Sequence, residues 1–96
     1  MKYGIPETVL EDIILYAKGN HIKKVLLFGS RARGTNRETS DIDIAVSGGD
    51  ILNFYFDLEE KANTLLKFDV VDMDKNIEDG FKREIEKDSV VLYEEI

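Results

Sequence analysis

Cysteine is absent from the chain, so neither a disulfide framework nor a thiolate metal site is open to it, and thiols do not report its redox compartment. Histidine is limited to His21, which removes zinc sites built on several imidazoles. No apolar run approaches the ~18 residues needed to span a bilayer. The opening Met1-Lys2-Tyr3-Gly4-Ile5-Pro6 leads directly to acidic residues and lacks the pattern of a secretory signal. The expectation is a soluble cytoplasmic chain with no membrane partner.

Positive charge is also scarce: 13 Lys and Arg stand against 20 Asp and Glu, a net charge of -7. Affinity for a nucleic-acid backbone comes mainly from basic side chains that neutralise phosphates, so extended nucleic-acid binding is not expected. The charges are unevenly spread, however. Residues 21–40 sum to +4, from Lys23, Lys24, Arg31, Arg33 and Arg37 against Glu38, while residues 41–67 sum to -4 and residues 68–96 to -6. A short basic island beside clustered carboxylates suits a metal-bound triphosphate better than a long polyanion. With 96 residues and 43% hydrophobic content, the chain can fill one core but not two. One domain, residues 1–96, is expected.

Apolar spacing sets the elements. Pro6 fits a first helical turn, and Val9, Leu10, Ile13, Ile14 and Ala17 recur at helical intervals before Gly19-Asn20, predicting a helix over 6–18. Residues 22–28 read as a strand buried on both faces and stopped by Gly29-Ser30. Residues 30–40 read as a loop with room for one helical turn from Ser30, and residues 41–47 as a second strand. Asp50 is placed to cap a helix whose stripe is Ile51, Phe54, Tyr55, Leu58, Ala62, Leu65 and Leu66, with Leu52 and Phe56 off that stripe as a candidate partner surface. A strand over 67–73, a helix over 78–87 and a strand over 90–93 complete the order α-β-β-α-β-α-β. The fold class is α/β, a small mixed sheet with helices packed on it.

The segment richest in chemistry runs from Gly29-Ser30 through Arg31, Arg33 and Gly34 to Asp41-Ile42-Asp43. Side chains alternate along a strand, so Asp41 and Asp43 face the same way with Cα atoms about 6.6 Å apart. Such a pair repels itself unless cations are present, and its oxygen donors suit Mg2+, with Mn2+ as a substitute. Phosphoryl transfer of this type commonly employs two ions. Asp69, a charge opening an otherwise apolar strand, is the candidate third ligand, with Asp72 a weaker choice on the opposite parity. Gly29 permits close backbone approach, and Ser30 can present its hydroxyl to a triphosphate. Arg31 and Arg33 can brace phosphate oxygens through forked donors. A Walker A reading of Gly29-x-x-x-x-Gly34 fails, because Thr35-Asn36 stand where Lys and Ser or Thr are required.

Taken together, Val25-Leu26-Leu27-Phe28-Gly29-Ser30-Arg31-Ala32-Arg33-Gly34, Ser40-Asp41-Ile42-Asp43-Ile44-Ala45-Val46 and Phe68-Asp69-Val70-Val71-Asp72 resemble the minimal nucleotidyltransferases of the DNA polymerase beta-like superfamily. The resemblance spans essentially the whole chain. It implies the palm-like nucleotidyltransferase fold, metal binding by Asp41 and Asp43, help from Asp69 in activating an acceptor, and phosphate binding at Gly29 and Ser30. Relatives of this minimal type often pair with a separate helical HEPN protein, and some act as antitoxins that adenylylate it. Three readings follow: transfer of AMP from ATP to a hydroxyl on a HEPN-type partner, the same chemistry on a small molecule, or non-catalytic neutralisation of a partner by contact. Mutually repelling carboxylates kept on one face favour the first two. A homo- or hetero-oligomer is compatible with all three.

Overall fold

A computed structural model describes residues 1–96 as four helices and four strands. Helix α1 (Glu7–Gly19) follows Pro6 and buries Val9, Ile13 and Ala17, with Glu7 in its first turn and Lys18 in its last, each on the end the helix dipole favours. Strand β1 (Lys24–Phe28) leads into a single helical turn, α2 (Gly29–Arg33), and then a loop to β2 (Ile42–Ser47). Helix α3 (Ile51–Lys61) starts as expected at Asp50, whose carboxylate accepts the Asn53 N–H at 3.1 Å. Strand β3 (Phe68–Asp72), helix α4 (Asp79–Lys87) and strand β4 (Val90–Glu94) follow.

The strands form one mixed sheet in the order β3-β2-β1-β4. Strand β1 is antiparallel to both its neighbours, and β2 runs parallel to β3. The short link from β1 to β2 allows the hairpin-like pairing, whereas the β2-to-β3 connection carries α3 as its crossover.

One sheet face builds the main core. Val25, Leu27, Ile42, Ile44, Val46 and Phe68 meet Val9, Ile13 and Ala17 of α1 and Phe54 and Leu58 of α3. The other face is only partly covered: Leu26 and Ala45 pack under Ile85 of α4, and Phe81, one turn before Ile85 on the same helix, is 45% exposed. No other helix contributes to that second cluster. The half bearing Asp43 and Asp69 therefore lies beyond the cover of α4.

Helix α3 is shorter than its apolar stripe predicts. It ends at Lys61, with Ala62 already extended, and Leu65 is fully exposed. The Asn63 N–H donates to Asp12, and the Leu66 N–H to the Thr64 hydroxyl at 3.1 Å. Side-chain acceptors of this kind compete with helical carbonyls, so the chain peels away in time to begin β3. The off-stripe Leu52 and Phe56 are indeed exposed.

Candidate functional site

Register determines where the acidic side chains meet. Asp43 lies opposite Phe28 on β1 and beside Asp69 on β3, and neighbouring strands stand about 4.8 Å apart. Asp41 lies two residues before Asp43 and just ahead of β2, whose first residue, Ile42, donates its N–H to the Lys67 carbonyl at 2.8 Å. Asp41 and Asp69 are exposed and Asp43 is half-buried. Neither of the chain's two ion pairs, Lys24–Glu94 and Lys61–Asp57, involves them.

Asp43 feels this crowding most. Burial raises its carboxyl above the ordinary range, the charges of Asp69 and Asp41 raise it further, and Arg31 and Arg33 pull it partly back. Gly29, at φ +73°, lies directly against it: a β-carbon there would collide with the Asp43 carboxylate. Glycine is thus required for its backbone conformation and for its missing side chain at once. The Asp43 carboxylate is seated where β1 turns into α2.

Oxygen-only donors, repelling one another and unneutralised by ion pairs, fit a divalent cation of the Mg2+ type by chemistry. They are not drawn together on a common centre in this conformation, since no three acidic or imidazole side chains converge at ligating distance. Two grooves flank the acidic rim. One, of about 350 Å³, is lined by Asp69 and Asp72 together with Ile51, Leu52, Tyr55 and Phe68; the other, of about 630 Å³, has Asp41, Glu38 and Thr39 on its wall.

Known proteins share the family and the fold. The family described as Polymerase beta, Nucleotidyltransferase matches residues 11–95. The chain belongs to this nucleotidyltransferase family. Two Methanocaldococcus jannaschii proteins, each named as a candidate protein adenylyltransferase, are similar to it: one is 40% identical over 75% of this chain and 79% of its own length, the other 39% identical over 57% and 66%. Among solved structures, a chain of a toxin–antitoxin complex with AMP-PNP superposes with a TM-score of 0.70 at 24% identity, covering 90% of this chain and 73% of that one. A chain of a variant MntA–HpeT toxin–antitoxin superposes at 0.67 with 25% identity, covering 88% and 72%. The mixed sheet with flanking helices is the fold of nucleotidyltransferases, and the chain is an enzyme of that class, adenylyltransferase-like by its relatives. No helix is long and apolar enough to cross a membrane.

Within this nucleotidyltransferase the two arginines of the loop have different places. Arg33, the last residue of α2, is exposed. Arg31, expected to brace phosphates, instead turns inward and is 1% exposed. Its Nε and Nη2 both donate to the Ser40 carbonyl, at 3.1 and 2.7 Å, its Nη1 donates to the carbonyls of Gly4 and Tyr3, and Nη2 also reaches that of Glu38. Its donors are spent on the protein, which corrects its assignment as a phosphate ligand. Asp72 is engaged elsewhere too, accepting the Asp74 N–H at 2.9 Å in the turn that ends β3. Pattern reading had no means of separating Arg31 from Arg33, since both stand in one polar loop. The nearest sequence signal was Gly4, whose carbonyl Arg31 engages and whose positive φ of 66° places that carbonyl.

Proposed function

We propose that this nucleotidyltransferase transfers AMP from ATP to a hydroxyl on a HEPN-type partner protein, and so acts as an antitoxin in the cytoplasm. The observation that carries the reading is the register of Asp43 with Asp69, with Asp41 two residues away and Gly29 cleared to let the Asp43 carboxylate in. Asp41, Asp43 and Asp69 would hold Mg2+, one ion or two, with Mn2+ able to substitute. The metal would supply charge neutralisation of the triphosphate and a lowered pKa for the attacking hydroxyl.

In the reaction the acceptor oxygen attacks the α-phosphorus, its new O–P bond forms as the α–β bridging bond breaks, and pyrophosphate leaves. Asp69, exposed at the edge of the sheet, would take the hydroxyl proton, alone or through water. Gly29 and Ser30 would lie along the phosphates, and Arg33 would brace them from the end of α2. A macromolecular acceptor is supported by the names of the Methanocaldococcus relatives, and the toxin–antitoxin complexes among the structural neighbours support its antitoxin setting.

Incubation of the purified pair with α-labelled ATP and Mg2+ tests the reading. Label should appear on the partner and disappear with Asp41→Ala plus Asp43→Ala. Persistent labelling by that double variant would exclude the site. Label passing only to small hydroxyl compounds, with the partner unmodified, would move the acceptor from protein to small molecule. Full protection of cells by the unreactive double variant would make the chain a contact inhibitor.

A further inference from the structure

Arg31 is the largest fully buried side chain of the fold, and no carboxylate pairs with it. A buried guanidinium with no carboxylate in direct contact is expensive to desolvate, and packing alone would be served as well by an apolar residue. What it holds is specific. Two of its nitrogens converge on one carbonyl, that of Ser40, and a third reaches the turn at Tyr3 and Gly4. Ser40 is the residue immediately before Asp41, and Arg31 itself lies in the turn that starts at Gly29. Both ends of the loop from Arg31 to Ser40 and the Tyr3–Gly4 turn, 27 residues before Arg31, are thereby tied to one planar group.

The turn at the far end is shaped for this contact. Tyr3 and Gly4 both take positive φ, 58° and 66°, which is unfavourable for tyrosine. A β-carbon on Gly4 would come to 2.9 Å from the Arg31 Nη1 and 2.8 Å from the Asn36 Nδ2. The strained pair aims its two carbonyls at the guanidinium.

We propose that Arg31 is a positioning residue for nucleotide transfer, holding the Asp41 carboxylate in place relative to the Gly29–Ser30 turn through the Ser40 carbonyl and the Tyr3–Gly4 turn. The inference rests on the reading of Asp41 and Asp43 as metal-holding groups. Lysine cannot reproduce the planar fork, because an ammonium is a point donor on a flexible stem.

Mn2+ binding followed by electron paramagnetic resonance of the free ion, alone and with AMP-PNP, tests it on the full chain, beside thermal melts. Four variants are compared with wild type: Arg31→Lys, Gly4→Ala, Asp41→Ala, and Ile13→Val as a core substitution remote from the loop. Arg31→Lys should remain folded yet bind Mn2+ about tenfold or more weakly, the range seen when groups that orient metal ligands are lost. Gly4→Ala, which leaves the guanidinium itself unchanged, should weaken binding in the same direction. Ile13→Val should lower the melting temperature without changing Mn2+ affinity, separating positioning from general destabilisation. Folded Arg31→Lys and Gly4→Ala proteins that both bind within twofold of wild type would overturn the inference while leaving the site reading intact, provided Asp41→Ala loses binding. Wild-type protein that binds no Mn2+ would overturn both.

Discussion

Replacing Asp43 by asparagine should make the metal-free protein more stable. Asp43 sits one strand spacing from Asp69 and two residues from Asp41, and its carboxyl is raised by burial and by both of those charges. With the backbone spacings of about 5 and 6.6 Å taken as the scale of the charge separations in a water-like dielectric, the two repulsions amount to roughly 0.8 and 0.6 kcal/mol. Attraction from Arg31 and Arg33 and screening at a half-exposed site reduce this, leaving about 1 kcal/mol relieved by the neutral amide. For a domain of this size that is a rise in melting temperature of about 4–8 °C.

The pH dependence has a definite sign. A carboxyl raised in the native state binds its proton more tightly folded than unfolded. The stability tied to that proton is fully present below the ordinary carboxylate value and is lost as pH rises through the raised native value. The advantage of Asp43→Asn should therefore be small in acid and reach its plateau above that window. Mg2+ should reverse the comparison, because an ion bound only to the native state at about ten times its dissociation constant adds about 1.4 kcal/mol to the wild type. Differential scanning calorimetry at low ionic strength, with chelator and then with Mg2+, reads both effects. An Asp43→Asn protein melting at or below wild type in chelator at pH 7 would refute the electrostatic reasoning, and equal stabilisation of both proteins by Mg2+ would remove the ion from this site.

Three further outcomes are expected. Gly29→Ala places a side chain at φ +73° and against Asp43, so it should destabilise by about 1–3 kcal/mol in urea melts and depress ATP-dependent labelling beyond the effect of the lost stability. Arg33→Gln should raise KM for ATP by about tenfold in steady-state kinetics with little change in kcat, the signature of a binding contact shared by ground and transition states. Asn20→Ala removes a buried amide that donates to the Tyr16 carbonyl and to Asp57, each at 2.8 Å, and accepts from Asn53; urea unfolding should show a loss of about 1–3 kcal/mol, and carboxyl NMR should show Asp57, now held low first by Asn20 and then by Lys61, titrating nearer the ordinary range.

Legibility of the sequence followed the range of the interaction. Helix α1 and strand β1 were readable because Pro6, the Val9–Ile13–Ala17 spacing and the Val25-Leu26-Leu27 run are local signals, and the structure moves their boundaries by one or two residues. Asp50 as a cap was readable for the same reason. The end of α3 was not, since the stripe continues through Leu65 and Leu66 while the termination depends on Asp12 of another helix and on Thr64. At the candidate site, strand parity gave the expectation that Asp41 and Asp43 share a face; β2 begins at Ile42, just after Asp41, and its parallel pairing with β3 sets Asp69 beside Asp43. The fate of Arg31 was hidden because its partners are backbone carbonyls at Tyr3, Gly4, Glu38 and Ser40. Carbonyls have no residue type, so no spacing in the sequence announces them.

The uneven cover of the sheet bears on how this domain obtains specificity. Helices α1 and α3 bury one face, while on the other the 9-residue α4 supplies only Ile85 to the cluster under it. Phe28, Val71 and Met73 are left partly buried on the same face as Asp43 and Asp69. Extending α4 across that half would add apolar burial and stability, but it would also cover the carboxylates and deny them ions and water. An open half therefore trades core for access, and its stability is lowered further by the repulsion among Asp41, Asp43 and Asp69. On the proposed function, a metal-bound nucleotide and a docked acceptor would together bring apolar contact and positive charge to that half. On that same proposal acceptor choice would be written mainly on the surface of the partner, and substitutions at Phe28 or Val71 should alter coupling to the acceptor more than they alter binding of the nucleotide's phosphates.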